Sequence, residues 1–313
     1  MKRARIAVLG GTGFVGRHVV NALVNQDREV TVPSRAREHA KPLFLLPRVQ
    51  VPEVDVRDAA ALAAAIRGAD AVINLIGVLH ESPRASFTRM HVGVAEAAIE
   101  ACRQNGIRRL IQMSALNADP GGPSAYLRSK GEAEARVAAS GLDWTVFQPS
   151  VIFGPGDGLF CRFAPALKLL PVLPLARASA RFQPVYVKDV AQAFILALQR
   201  PDSIGKAYPL VGPKTYSMAE LVKYTAKVLG ISRLVLPLPD FLGRLQGLTF
   251  DALPAALKPF SSDNFKSLAV DSVSERNGLV ELGIRPTPLE LVVPEYICTS
   301  EHQRQLDAYR ADR

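Results

Sequence analysis

The sequence predicts a doubly wound α/β fold: a parallel sheet with helices on both faces and a smaller C-terminal lobe. Three observations carry this expectation. Up to about residue 150, short apolar runs alternate with amphipathic helical patterns, as βαβ units around a sheet buried on both faces require. The first apolar run, 6–9, feeds a turn, Gly10-Gly11-Thr12-Gly13-Phe14-Val15-Gly16, that opens a helix with Val15, Val19, Val20 and Leu23 on one side. Beyond Pro149 the texture changes, because Pro and Gly become dense and the alternation weakens.

Strands are expected at 6–9, 30–32, 49–51, 71–76, 109–113 and 144–148, with helices at 59–66, 87–104 and 126–139. Later, Val185-Tyr186-Val187 reads as a return to the sheet, Asp189 as the N-cap of a helix over 190–198, and 208–211 as a last strand. Ser217-x-x-Glu220 is a capping box. The rest, with Pro237, Pro239, Pro254 and Pro259, reads as irregular, ending in a loose polar tail of some twenty residues. Residues 1–153 plus 183–213 therefore form the expected sheet domain, and 154–182 plus 214–313 the lobe.

Glycines at positions 10, 13 and 16 divide the work of a dinucleotide turn. One makes the sharp strand-to-helix turn, one admits a pyrophosphate close to the backbone, and one lets helix pack on strand. The helix that follows points its N–H groups and the positive end of its dipole at the phosphates.

Composition narrows the partners. The 313 residues carry a net charge of +9, with 48% hydrophobic and 21% charged residues, as a globular protein has. Residues 1–50 hold nine Lys/Arg against three acids, but only Phe14 and Phe44 as aromatics. A nucleic-acid face needs aromatic platforms along a basic groove, so a phosphorylated small molecule is the better partner. An acidic protein or membrane surface stays open. Three cysteines, Cys102, Cys161 and Cys298, show no metal spacing and suit a reducing compartment. The five histidines show none either, so no metal is expected. The basic start followed by 6–9 resembles a short signal peptide, but the run breaks into glycines and reads as a strand. No run reaches a membrane-spanning length, and 167–175 is cut by Pro171 and Pro174. The expectation is a cytoplasmic protein, with peripheral attachment to the inner face of the membrane left open, in particular through the leucines of 234–248.

Tyr126-Leu127-Arg128-Ser129-Lys130 puts a phenol and an ammonium one helical turn apart on one face. A cation nearby favours the phenolate, so the Tyr126 pKa is expected to fall toward a range useful for proton transfer. Ser114 follows the strand 109–113, at the edge of a parallel sheet where ligands bind. At the end of the second strand, where NAD-binding proteins place an acid, this chain reads Pro33-Ser34-Arg35-Ala36-Arg37. A guanidinium fork pairs with a 2′-phosphate, so NADP(H) is favoured and NAD(H) stays open. Asp157 and Asp189 read as turn and cap residues. Trp144, Phe160, Phe163 and the leucines of 167–175 read as core, with an apolar substrate pocket as the alternative.

Over roughly residues 4–215 these motifs, with Gln148-Pro149-Ser150-Val151-Ile152-Phe153-Gly154-Pro155-Gly156-Asp157 and Val185-Tyr186-Val187-Lys188-Asp189-Val190-Ala191, resemble the short-chain dehydrogenase/reductase superfamily. The spacing points to its extended or atypical, epimerase/dehydratase-like branch. The resemblance implies a Rossmann-type fold with Gly10, Thr12, Gly13, Phe14, Val15 and Gly16 at the phosphates. It also implies Ser34, Arg35 and Arg37 at the ribose, and Asp55 and Val56 at the adenine. Leu75, Ile76 and Gly77 would line the cofactor, and Pro149, Ser150, Val151 and Ile152 would border the nicotinamide. Tyr126 would be the acid/base, Lys130 would hold the ribose and tune Tyr126, and Ser114 would hold the reacting oxygen.

A narrower resemblance rests on Ser114-Ala115-Leu116, Tyr126 to Glu132, and Arg181-Phe182-Gln183-Pro184-Val185-Tyr186-Val187. It is to the group containing the nucleotide-binding accessory subunit of mitochondrial respiratory complex I and its bacterial relatives. No transit peptide is evident, which favours the bacterial side. Many family enzymes carry an active-site asparagine where this chain has His91, and the accessory subunit implies a structural NADPH. Three functions follow: an oxidoreductase acting on a carbonyl, alcohol or sugar-like substrate; an NADPH-binding assembly protein docked on a larger complex; and, more weakly, a redox sensor.

Overall fold

The computed structural model describes residues 3–82, 85–253 and 260–297. Seven strands, β1 (Arg5–Leu9), β2 (Glu29–Thr31), β3 (Val49–Gln50), β4 (Ala71–Asn74), β5 (Arg109–Met113), β6 (Asp143–Pro149) and β11 (Lys206–Leu210), form one sheet in the order β11-β6-β5-β4-β1-β2-β3. Every pairing in it is parallel. The chain runs outward from β1 through β2 to β3, then returns to β4 on the other side of β1. The crevice between β1 and β4 is therefore the topological switch point.

Helices α1 (Phe14–Asn25) and α6 (Val187–Gln199) pack on one face, where Val19, Val20 and Phe194 are buried against Val8 and Phe147. Helices α2 (Ala59–Ala65), α3 (Val94–Gln104) and α4 (Ala125–Ala138) pack on the other, around Leu62, Ala98 and Val137. The predicted helix 87–104 has two parts: Thr88–Gly93 winds as a π-helix before α3 begins.

A third core holds the C-terminal lobe. It gathers α5 (Phe160–Leu169), α7 (Met218–Val228), α11 (Leu289–Ile297), and parallel strands β8 (Val172–Ala176) and β13 (Leu234–Leu238). Phe160 and Leu167 are fully buried in it. Two short pairs, β7 (Ile152–Phe153) with β10 (Val185–Tyr186) and β9 (Arg181–Phe182) with β12 (Tyr216–Ser217), tie the chain as it passes between sheet and lobe. Helices α8 (Asp240–Asp251), α9 (Ser262–Ser267) and α10 (Gly278–Glu281) complete the fold.

Three expectations need correction. Residues 185–187 do not rejoin the main sheet, because β11 already occupies the free edge of β6, and β10 pairs with β7 instead. Asp189 is no N-cap. It lies inside the first turn of α6, buried, and its carboxylate accepts hydrogen bonds from Thr287 N at 2.7 Å and Thr287 Oγ1 at 3.0 Å. The lobe is also more regular than its prolines suggest. Pro174 and Pro237 sit inside β8 and β13, which a two-strand sheet tolerates because each strand keeps an open edge. The capping box at Ser217 and Glu220 forms as expected. Pro254, Pro259, Cys298, His302 and the polar tail lie outside the described residues.

Candidate functional site

The glycine turn sits at the mouth of the β1/β4 crevice. Gly10 takes φ +79°, and a Cβ on it would crowd Ile76 and the Leu75 carbonyl carbon at 3.1–3.3 Å. Gly16 leaves no room at all, since its Cβ would fall 2.1 Å from the Gly10 carbonyl oxygen. The turn thus packs against Leu75 and Ile76. Helix α1 starts with no side-chain cap and no acid in its first turn, so its first N–H groups are left for another acceptor. Val15 is buried in the core and can offer only its backbone; Thr12 and Phe14 are half-buried.

Two buried amides shape the far wall of the crevice. Asn74, at the end of β4, donates to Gln112 Oε1 at 2.9 Å and accepts from Ile76 N at 3.1 Å. Gln112 in turn donates to Met113 O. Polar residues interrupting apolar strands were the available sequence signal for both.

Beyond them the structure brings Ser114, Tyr126 and Lys130 to the same edge. The Ser114 amide donates to Phe147 O at 2.7 Å, while its hydroxyl is buried without a hydrogen-bond partner. Lys130, 2% exposed, donates to Met113 O at 3.3 Å, and a Cβ on Gly77 would stand 3.0 Å from its Nζ. The Tyr126 ring packs edge-on against Phe87 and His91, with centroids 5.9 and 5.6 Å away. Asp263 from α9 accepts the backbone N–H groups of Ala125 and Tyr126 at 2.7 and 3.1 Å, so the lobe caps the helix that carries the phenol.

The ionisation of this cluster differs from the sequence expectation. Burial pushes the Tyr126 phenol up to about 12 and pulls the Lys130 ammonium down to about 8, with the Glu134 carboxylate opposing it. Desolvation outweighs the attraction of phenolate for ammonium, because both groups are withdrawn from water. Tyr126 is therefore a neutral proton donor at pH 7, and Lys130 keeps most of its charge.

His91 lies in the π-helical turn, a deformation that often marks functional positions. Its Nε2 accepts from Val78 N at 3.1 Å, and its Nδ1 is 2.8 Å from Ser129 Oγ. Since Ser129 donates to Tyr126 O, the network assigns the proton to Nδ1 and leaves a neutral imidazole. Burial and the Lys130 charge hold its pKa down at about 2.

Glu134, one turn past Lys130, escaped the sequence reading although its i+4 spacing was visible. Its Oε1 accepts from Gln148 Nε2 at 2.7 Å, and its Oε2 is buried without a partner. Burial raises its carboxyl pKa, against Gln148, Ser114 and Lys130, which favour the charged form. The Ser114 hydroxyl is near enough to act on Glu134, although the two stand outside hydrogen-bond geometry.

At the other end, Ser34 continues the parallel pairing to Glu53, and its hydroxyl donates to Ala36 O. Arg35 is exposed. The Arg37 guanidinium lies 5.4 Å over the Phe44 ring. Asp55 is clamped by Arg57, whose Nε reaches both carboxylate oxygens at 2.9 and 3.0 Å. Arg57, with Arg35 farther off, holds the Asp55 carboxyl below its usual range. Val56 is buried in the core. The sequence reading missed Arg57. Pro149 ends β6 beside Leu210, and Ser150 donates to Ser272 O at 2.8 Å. Val151 O accepts from Val185 N, and Ile152 opens β7. This segment is therefore tied to the lobe on one side and faces Ser114 on the other, through Leu116 N bonded to Pro149 O. Among the described residues no group of three or more His, Cys, Asp or Glu could hold a metal ion.

A glycine turn at the switch point of a doubly wound parallel sheet is the arrangement of Rossmann-type dinucleotide-binding proteins, and the NAD(P)H-binding family model matches residues 10–158. The mouse mitochondrial NADH dehydrogenase [ubiquinone] 1 alpha subcomplex subunit 9 is 33% identical over 293 residues, 91% of this chain and 77% of that protein. A ceramide reductase of Caulobacter vibrioides is 32% identical over 243 residues, covering 76% and 74%. The NADPH-dependent quinone oxidoreductase of Escherichia coli, solved with NADPH, shares the fold with TM-score 0.77 at 19% identity, covering 94% of this chain and all of that one. The chain belongs to the family of the complex I alpha subcomplex subunit 9. No helix among the described residues is long and apolar enough to cross a membrane.

Proposed function

We propose that this protein is an NADP(H)-dependent oxidoreductase acting on a carbonyl or alcohol, with Tyr126 as its proton donor and acceptor. The observation that carries the reading is the meeting of buried Ser114 and Lys130 with half-buried Tyr126 at one sheet edge, beside a turn with no space for a side chain at Gly16. The residues suit the cofactor: the glycines fold the turn tightly on itself ahead of an uncapped helix start, and the Ser114 hydroxyl is buried with no partner of its own. Gly10, Thr12, Gly13, Phe14, Val15 and Gly16 take the phosphates. Ser34, Arg35 and Arg37 take the adenosine ribose and its 2′-phosphate, with Asp55, Val56, Leu75, Ile76 and Gly77 along the cofactor. Pro149, Ser150, Val151 and Ile152 border the nicotinamide. When bound, the nicotinamide supplies or accepts the hydride. Ser114 donates a hydrogen bond to the substrate oxygen. The neutral Tyr126 phenol then gives that oxygen its proton, and Lys130 stabilises the phenolate that results.

The second reading, a nucleotide-binding assembly protein, is favoured by a specific observation. His91 is the nearest candidate for the asparagine that the resemblance implies in this helix, and both its nitrogens are already engaged by Val78 and Ser129, which leaves it no hand for a proton relay. Bound NADPH would then stabilise the fold by mass action.

One experiment separates the two. The nucleotide co-purifying with the protein is identified by mass spectrometry, and NADPH absorbance is followed against a panel of carbonyl compounds. Turnover that vanishes in Tyr126→Phe supports the enzyme; tight NADPH with no turnover on any compound supports the assembly role.

A further inference from the structure

Helix α8 is built inside out. Its buried residues are Gly243 and Gly247, four apart and so on one face. A Cβ on Gly243 would fall 2.7 Å from the Phe265 ring, and one on Gly247 would fall 2.9 Å from Ser262 Cα. The glycines let α8 lie flat on α9. Its large apolar side chains consequently point the other way: Phe241 is 69% exposed, Leu245 55% and Leu248 61%. A helix of an ordinary globular surface does the reverse.

The two-stranded sheet that precedes α8, whose strand β8 touches that helix, also turns apolar side chains outward. Val172 is paired with Leu234 and Pro174 with Leu236, and all four are exposed, while the alternate residues Leu173, Leu175 and Val235 fill the lobe core. Exposed apolar area of this extent marks an interaction surface. We propose that this face, β8, β13 and α8 together, seats the protein on an anionic lipid bilayer.

Two features choose a bilayer over a protein partner. The face is aliphatic, with one exposed aromatic, whereas protein hot spots favour Trp, Tyr and Arg over Leu. Its charges also complement an anionic surface. Residues 160–178 and 231–253 carry five Lys/Arg (162, 168, 177, 233, 244) against Asp240 and Asp251. Both acids are engaged within the protein, Asp240 by Arg177 at 3.0 Å and Asp251 by Ser262 N. Lys168 and Arg244 are exposed at the rim. An amphipathic element with basic flanks lies in the plane of such a surface, its apolar side in the acyl boundary and its cations among the headgroups.

The test is flotation of the full chain with vesicles of equal phosphatidylglycerol and phosphatidylcholine, and with phosphatidylcholine alone. The wild type is expected to float with the anionic vesicles, and less with the neutral ones. Phe241→Ser/Leu245→Ser/Leu248→Ser should lose at least about a hundredfold in partition, because three apolar side chains no longer enter the acyl boundary. The triple variant's thermal midpoint and NADPH affinity check that it folds. Arg244→Glu, which leaves the apolar face intact, should weaken flotation severalfold at low salt and little at high salt. The proposal is overturned if the wild type stays at the bottom of the gradient, or if both variants float like it. It is equally overturned if sedimentation shows a stable dimer that the triple variant dissolves, since the face would then be covered by a second copy. None of these readouts involves turnover, so they stand apart from the fate of the oxidoreductase reading.

Discussion

The two ends of the crevice follow different electrostatic rules. Around Ser114, Tyr126, Lys130 and His91 the groups are enclosed, and burial decides their charge: Tyr126 is pushed up, Lys130 and His91 are pulled down. Around Arg35 and Asp55 the charged groups are exposed or half-buried, and pairing decides instead. Arg57 lowers Asp55 despite partial burial. The enclosed end is therefore suited to moving a proton at fixed geometry. The open end is suited to capturing a charge from solution, with a strength that salt will tune.

The change with the largest expected effect strikes the hinge between the two ends. Gly16→Ala puts a methyl group 2.1 Å from the Gly10 carbonyl oxygen, so the turn must move. Denaturant titration should show a loss of at least about 1–3 kcal/mol, and calorimetric titration should show no NADPH binding. Retained binding would mean that the turn does not hold the phosphates.

Next comes the enclosed end alone. Tyr126→Phe keeps the ring packed against Phe87 and His91 and removes only the hydroxyl. Turnover should fall by about 10²–10⁴, with NADPH affinity within about twofold. The open end is tested by Arg35→Ala, which should weaken NADPH by about 10–100-fold, the range of a charge-assisted hydrogen bond, and NADH hardly at all. Equal losses for both nucleotides would remove the 2′-phosphate argument. Arg37→Ala should do less, because that guanidinium is already stacked on Phe44.

How much of this was legible beforehand follows the same division between local and tertiary causes. Strands such as 6–9 could be read directly, because a sheet covered on both faces needs uninterrupted apolar runs. Tyr126 and Lys130 were also visible, since one helical turn fixes their shared face. The direction of the Tyr126 pKa was not, because it depends on how completely α4, α9 and Phe87 exclude water. The pairing of 185–186 with 152–153 escaped because two residues carry no periodicity. Helix α8 was hidden by its glycines, which signal a loop in sequence but serve close packing here. Glu134 was in plain view and was passed over, because a glutamate on a helix is ordinarily solvated, and only the fold brings Gln148 against it.

The smallest effect tests the enclosed end through pH. His91 binds a proton near 6.5 when unfolded and near 2 when folded. Between those values the unfolded chain holds more protons, so stability falls as pH drops below about 6.5. From pH 7 to pH 5 the contribution of His91 is on the order of 1–2 kcal/mol, since one group supplies at most about 1.4 kcal/mol per pH unit. His18, pulled down to about 4 mainly by burial, adds a loss of the same sign in wild type and variant alike. His91→Asn should therefore flatten the stability profile between pH 7 and pH 5 in urea titrations without abolishing it. An unchanged profile would mean that His91 reaches water and its protonated form. The same variant also reads the chemistry: an asparagine amide can replace Nδ1 toward Ser129 but is too short to replace Nε2, and so frees Val78 N. If turnover rises with it, the locked histidine is what holds the proton relay shut; if turnover is unmoved, His91 serves only to fix Ser129 and the helix that carries Tyr126.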